Sequence, residues 1–124
     1  MRWQMVAIGI ICLPFCAGFV VAHEGDEGPA KTVTGEVVDP ACYLSEGNKG
    51  AGPGHRECAE KCISSGLPVG IKSGDTLYVA ITSEHGPMNV ALAPLAAKQV
   101  VAEGTVSEQN GVHLIAIKRV TVKE

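Results

Sequence analysis

Apolar positions are spread unevenly along the 124 residues. An uncharged, almost wholly apolar run from Met5 to Ala22 comes first, and a charged, Gly-rich stretch, His23 to Lys31, follows it without any apolar period. From Thr32 onward the chain is written in short strands. Thr32 to Asp39 is rich in β-branched residues and stops at Asp39-Pro40, because proline cannot continue a central ladder. Gly47, Gly50, Gly52, Pro53 and Gly54 mark a loop. Arg56 to Ser65 reads as a short helix ended by Gly66 and Pro68. Val69 to Lys72 and Thr76 to Thr82 flank the turn Ser73-Gly74-Asp75, and the alternation in the second strand predicts Leu77, Val79 and Ile81 on its buried face. Val90 to Lys98 predicts a helix shortened by Pro94. Val100 to Ser107 and Val112 to Val122 are two further strands, joined through the hairpin signal Asn110-Gly111.

Five strands with a helix between the third and fourth is the order of an OB-type Greek-key barrel. The expected class is therefore all-β with short helices: a five-stranded OB-like barrel spanning 32–124, with a Cys-bearing helical insertion, 40–66, between the first two strands and outside the barrel. Closure also removes the sheet edges that a small exported domain would otherwise expose.

The apolar opening changes the picture of location. Arg2 precedes it, and Val20-Val21-Ala22 offers small residues at the point where a signal peptidase cuts. The expectation is a signal peptide over 1–22, a flexible acidic leader over 23–31 and a periplasmic or secreted mature protein starting at His23. Contact with a membrane is expected only if the segment stays uncleaved, since 18 apolar residues can span a bilayer. The formal net charge is −3, and loss of Arg2 makes the remainder more acidic. That balance argues against nucleic acid as a partner. Outside the signal the aromatic residues are Tyr43 and Tyr78, too few for a base-stacking platform.

Removal of Cys12 and Cys16 with the signal leaves Cys42, Cys58 and Cys62, an odd number for an oxidising compartment. If 54–65 is helical, His55, Cys58 and Cys62 stand at i, i+3 and i+7 on one face, and Cys42 arrives from another segment. Three thiols and an imidazole form the ligand set of a closed tetrahedral zinc site, and they also suit Cu(I). One Zn or Cu ion held by Cys42, His55, Cys58 and Cys62 would order a loop-rich insertion, because metal binding contributes folding free energy directly. The competing reading is one structural disulfide plus a free thiol, worth roughly 2–4 kcal/mol, in an interaction module that binds another envelope protein. Iron–sulfur and redox-sensing roles stay open beside these two. Cys58 and Cys62 are separated by three residues with no following His, which argues against covalent haem, and the absence of Cys-x-x-Cys argues against a thiol oxidoreductase.

The string Thr34 to Asp39, then Cys42-Tyr43, His55, Cys58-Ala59 and Cys62, then Gly66 to Gly70, resembles a group of small, mostly uncharacterised bacterial exported proteins. The closing Val100 to Val122 is similar to OB-like domains of periplasmic proteins. The resemblance implies a fold and a shared Cys/His site but carries no substrate. Weaker candidates are His23 as an N-terminal copper chelator and the His85/Met88 pair as a second soft-metal site, against an ordinary surface turn; His113 reads as a solvated position opposite the core-facing set. No phosphate loop, nucleophile elbow or paired carboxylates emerge, so no enzyme activity is expected.

Overall fold

A computed structural model describes residues 28–124. The expected signal (1–22) and residues 23–27 of the leader, His23 included, lie outside the described residues. Strands β1 (Ala30–Val38), β2 (Gly70–Ser73), β3 (Thr76–Thr82), β4 (Gln99–Gln109) and β5 (Val112–Val122) close into a barrel in the order β1-β2-β3-β5-β4. Every neighbouring pair is antiparallel except β3 with β5, which run parallel. This is the expected OB-type barrel. Helices α1 (Pro40–Glu46) and α2 (Arg56–Ser64) form an insertion between β1 and β2, and α3 (Asn89–Leu92) lies between β3 and β4. Among the described residues no helix is long and apolar enough to cross a membrane.

The barrel is filled by alternate side chains of its strands. Val33 and Val37 of β1, Ile71 of β2, Val100, Ala102 and Val106 of β4, and Ile115 and Ile117 of β5 all face inward. Leu92, Ala93 and Ala96 from the α3 region and Ala59 and Ile63 from α2 join the same core, so α2 is attached to the barrel through one apolar row. The hairpin between β4 and β5 turns at Asn110 (φ 52°) and Gly111 (φ 80°), both left-handed as a type I′ turn requires.

Four expectations are corrected. β1 begins at Ala30 rather than Thr32, because Ala30 and Lys31 pair with Thr105 and Gly104 of β4; the last two residues assigned to the leader are therefore strand. The face of β3 is reversed: Ala80 is buried and Tyr78 packs on the core, whereas Leu77, Val79 and Ile81 are only half-buried on the outer side. The insertion explains this reversal, since Leu77 and Val79 line an outer groove together with Pro40 and Leu44 of α1. An apolar outer face is compatible with the barrel where a helix partly covers it. The helix foreseen over 90–98 stops at Leu92 and continues as a 3-10 turn, Ala93–Leu95, with Pro94 inside it. His113 shares the alternation of Ile115 and Ile117, and its ring meets Tyr78 edge-on at 5.5 Å.

Candidate metal centre

Asp39 starts the insertion. Its backbone is still extended, its Oδ1 accepts a hydrogen bond from the Ala41 N–H at 2.8 Å, and Pro40 occupies the first helical turn, where a missing N–H costs nothing. Cys42 therefore stands one turn into α1. After Glu46 the chain makes a 3-10 turn, Gly47–Gly50, that folds back over the Cys42 peptide; a Cβ at Gly50 would collide with the Cys42 carbonyl, so this position needs glycine. A second 3-10 turn, Pro53–His55, leads into α2. The loop is tied to the barrel by Glu36, whose carboxylate accepts from the Gly52 N–H. Tyr43 lies over the Lys72 ammonium at 5.7 Å, adding a cation–π contact between α1 and β2.

On α2, Ala59 and Ile63 stand at i and i+4 and face the core. Cys58 and Cys62 form the adjoining row, one residue before each, and so look sideways toward α1. The C-terminus of α2 is closed by a Schellman pattern, with the Leu67 N–H donating to the Cys62 carbonyl and the Gly66 N–H to that of Ile63. Asn89 donates from its side-chain amide to the carbonyls of Ile63 (2.8 Å) and Leu67 (2.6 Å), which locks the end of α2 to α3. Both cysteine-bearing helices are thus fixed from outside the site.

The result is one cluster. The sulfurs of Cys42, Cys58 and Cys62 lie within 4.8 Å of one another, and all three cysteines are free thiols. Cys42 and Cys62 are half-buried and Cys58 is exposed. Three sulfurs at this spacing can hold a metal ion.

His55 is not in that group. It precedes the α-helix, in the 3-10 turn, and its ring follows the i+4 neighbour Ala59 instead of the i+3 neighbour Cys58. It lines a crevice with Glu36, Val37, Ala59 and Ala97 that leaves no room for a water molecule, and its Nε2 is buried there without a hydrogen-bond partner. Helical periodicity places both neighbours equally close, and only packing against β1 distinguishes them.

The residue that sequence reasoning passed over is Asp39. Read only as the stop of a strand, it is a fully buried carboxylate; among the described residues it is the buried charged side chain of the molecule. Oδ1 caps α1, whereas Oδ2 has no hydrogen-bond partner of good geometry. The carboxylate nevertheless lies beside two of the thiols. Hydrogen bonding to Asp39, burial and the Asp39 charge together push the Cys42 thiol up to about 12, and burial followed by Asp39 raises Cys62 as well. The available signal was the Asp39-Pro40-Ala41 string, an N-cap followed by proline at the first helical position.

The other candidate pair separates. His85 sits at the tip of a turn with φ 60°, and Met88 is buried in the core, so no shared site forms between them. No protein-family model, curated protein or solved structure matches the chain.

Proposed function

We propose that this protein is an exported metal-holding domain, in which Cys42, Cys58 and Cys62 bind one soft or borderline ion, zinc or copper, as a structural centre of the insertion or as cargo. The observation that carries this reading is the convergence of three free thiols from two helices to within 4.8 Å. A disulfide uses two of these sulfurs and strands the third, whereas an ion uses all of them. The thiols of Cys42 and Cys62 are shifted upward, opposite to the depressed values of reactive redox cysteines, so an ion bound there must displace their protons and should bind more tightly as pH rises. Three thiolates leave one position of a tetrahedral ion to be filled, and in this reading the ion serves binding and order. Export rests on the Met1 to Ala22 segment and its Val20-x-Ala22 cut site.

The test is native mass spectrometry with metal analysis and thiol titration, on protein recovered from the periplasm without chelator. The expected result is a chain starting at His23, carrying one ion, with three thiols that react only after chelation. One reactive thiol, two sulfurs in a bridge and no metal would replace this reading with the disulfide-stapled envelope interaction module. A chain starting at Met1 in the membrane fraction would overturn the export half alone.

A further inference from the structure

Three sulfurs leave a tetrahedral ion one donor short, and two buried polar atoms near the cluster lack partners: Nε2 of His55 and Oδ2 of Asp39. Their surroundings differ. The His55 nitrogen is enclosed by Glu36, Val37, Ala59 and Ala97 in a crevice without room for a water, so no ion reaches it without displacing the chain from β1. The Asp39 carboxylate is fully buried, is held in place by its Oδ1 bond to the Ala41 N–H at the start of the helix that carries Cys42, has Oδ2 unpartnered, and is close enough to the Cys42 and Cys62 thiols to raise both.

A lone buried carboxylate oxygen is costly unless something positive or protic faces it. In the metal-free protein the thiol protons of Cys42 and Cys62 are the protic groups at hand. Once an ion takes those thiols as thiolates, an uncoordinated Asp39 carboxylate would lie beside two negative sulfurs. The cation is the group that can balance it. Among the described residues Asp39 makes no ion pair; the one that forms joins Arg119 of β5 to Glu103 of β4.

We infer that the fourth donor of the centre is the Asp39 carboxylate, presented through Oδ2, and not the His55 imidazole, so that the site is three thiolates and one oxygen and selects zinc(II) over copper(I). The inference rests on the metal-holding reading and sharpens it. Carboxylate oxygen suits divalent zinc, whereas Cu(I) favours an all-soft shell. Asp39 stands outside the 4.8 Å set of sulfurs, on the Cys42 and Cys62 side.

The experiment loads the full mature chain with zinc(II) and compares it with Asp39→Asn, Asp39→Cys and His55→Gln. Affinity is read by competition with a chromophoric chelator, donor count by X-ray absorption at the zinc edge, and folding by circular dichroism. Asn caps helices as well as Asp does, so Asp39→Asn keeps the Ala41 bond and the fold while removing the charge. The expected results are three sulfurs and one light donor in the unaltered protein, a loss of about tenfold or more in affinity for Asp39→Asn, a fourth sulfur in the shell for Asp39→Cys, and no change for His55→Gln. A sulfur count that stays at three in Asp39→Cys, with the new thiol freely reactive, would overturn the assignment even if Asp39→Asn weakened binding indirectly. Loss of affinity in His55→Gln with Asp39→Asn unaffected would return the fourth position to His55. If the unaltered chain, offered each ion separately, takes up neither zinc(II) nor copper(I) through its thiols, the metal-holding reading itself fails; if it takes up copper(I) but not zinc(II), or takes up zinc(II) and the Asp39 variants match it, only the fourth-donor inference is wrong.

Discussion

The barrel and the insertion are held by different physics. β4 and β5 are eleven-residue strands paired along almost their whole length, and the barrel encloses Val37, Ile71, Val100, Ala102 and Ile115 with no exposure at all. The insertion, from Asp39 to Pro68, contributes Ala59 and Ile63 to that core and otherwise consists of short helices, 3-10 turns and exposed loop. Helices this short are not stable alone. The barrel can thus fold on burial and backbone pairing, while the insertion needs a local centre, and its three thiols and one buried carboxylate occupy the place where such a centre would be.

The most severe way to break this contrast is through the shared core. Ile115→Ala removes a fully buried side chain and should cost about 2–5 kcal/mol, seen as one cooperative loss of both regions in denaturant unfolding. If the insertion melts separately in that variant, the two regions are less coupled than the Ile63 contact implies. Next comes the centre. Cys58→Ser should lower zinc affinity by more than the roughly 10–100-fold typical of losing an outer partner, and chelation of the unaltered protein should speed amide exchange in α1 and α2 while β4 and β5 keep their protection. Uniform loosening, or none, would contradict the division.

Smaller effects sharpen the same line. Gly111→Val forces a β-branched residue to φ 80° and should cost about 1–2 kcal/mol, falling on the barrel and leaving zinc affinity unchanged. Asn89→Ala removes two bonds to the end of α2 and should cost about 1 kcal/mol, with faster exchange at the α2 C-terminus. The mildest effect is that of pH on the metal-free protein. Cys42 keeps its proton to about 12 when folded, against an ordinary value of 9.0. Between those values the unfolded chain binds fewer protons, so the stability contributed by this group is intact below pH 9.0 and is lost as pH rises toward 12. Thermal melts with and without zinc check the sign: the bound ion should remove this alkaline decline, because its thiolates carry no protons to lose.

Strand order was legible because its signals are local. The period-2 runs, the Asn110-Gly111 turn and the limits of β3 and β5 depend on a few neighbouring residues, and the structure places them as the pattern predicted. α1 was also written locally, in Asp39-Pro40-Ala41, but that string has two meanings, since a proline that ends a strand also begins a helix. The inner face of β3 was misread for a nonlocal reason. Leu77 and Val79 look outward because Pro40 and Leu44 lie beside them, and no alternation in β3 contains that information.

By itself, the sequence determined that the chain forms a five-stranded barrel with a helix before β4, and that three cysteines belong to an insertion on its flank. Turn chemistry and side-chain period act over a few residues and do not depend on the rest of the fold. Tertiary structure alone decided which polar groups accompany the thiols. His55 and Cys58 share a helical face in projection, yet packing of the Ala59 row against the barrel carries the imidazole away. The same packing buries Asp39 with one oxygen unpartnered and brings its carboxylate beside the Cys42 and Cys62 thiols, because burial and proximity are properties of assembled elements.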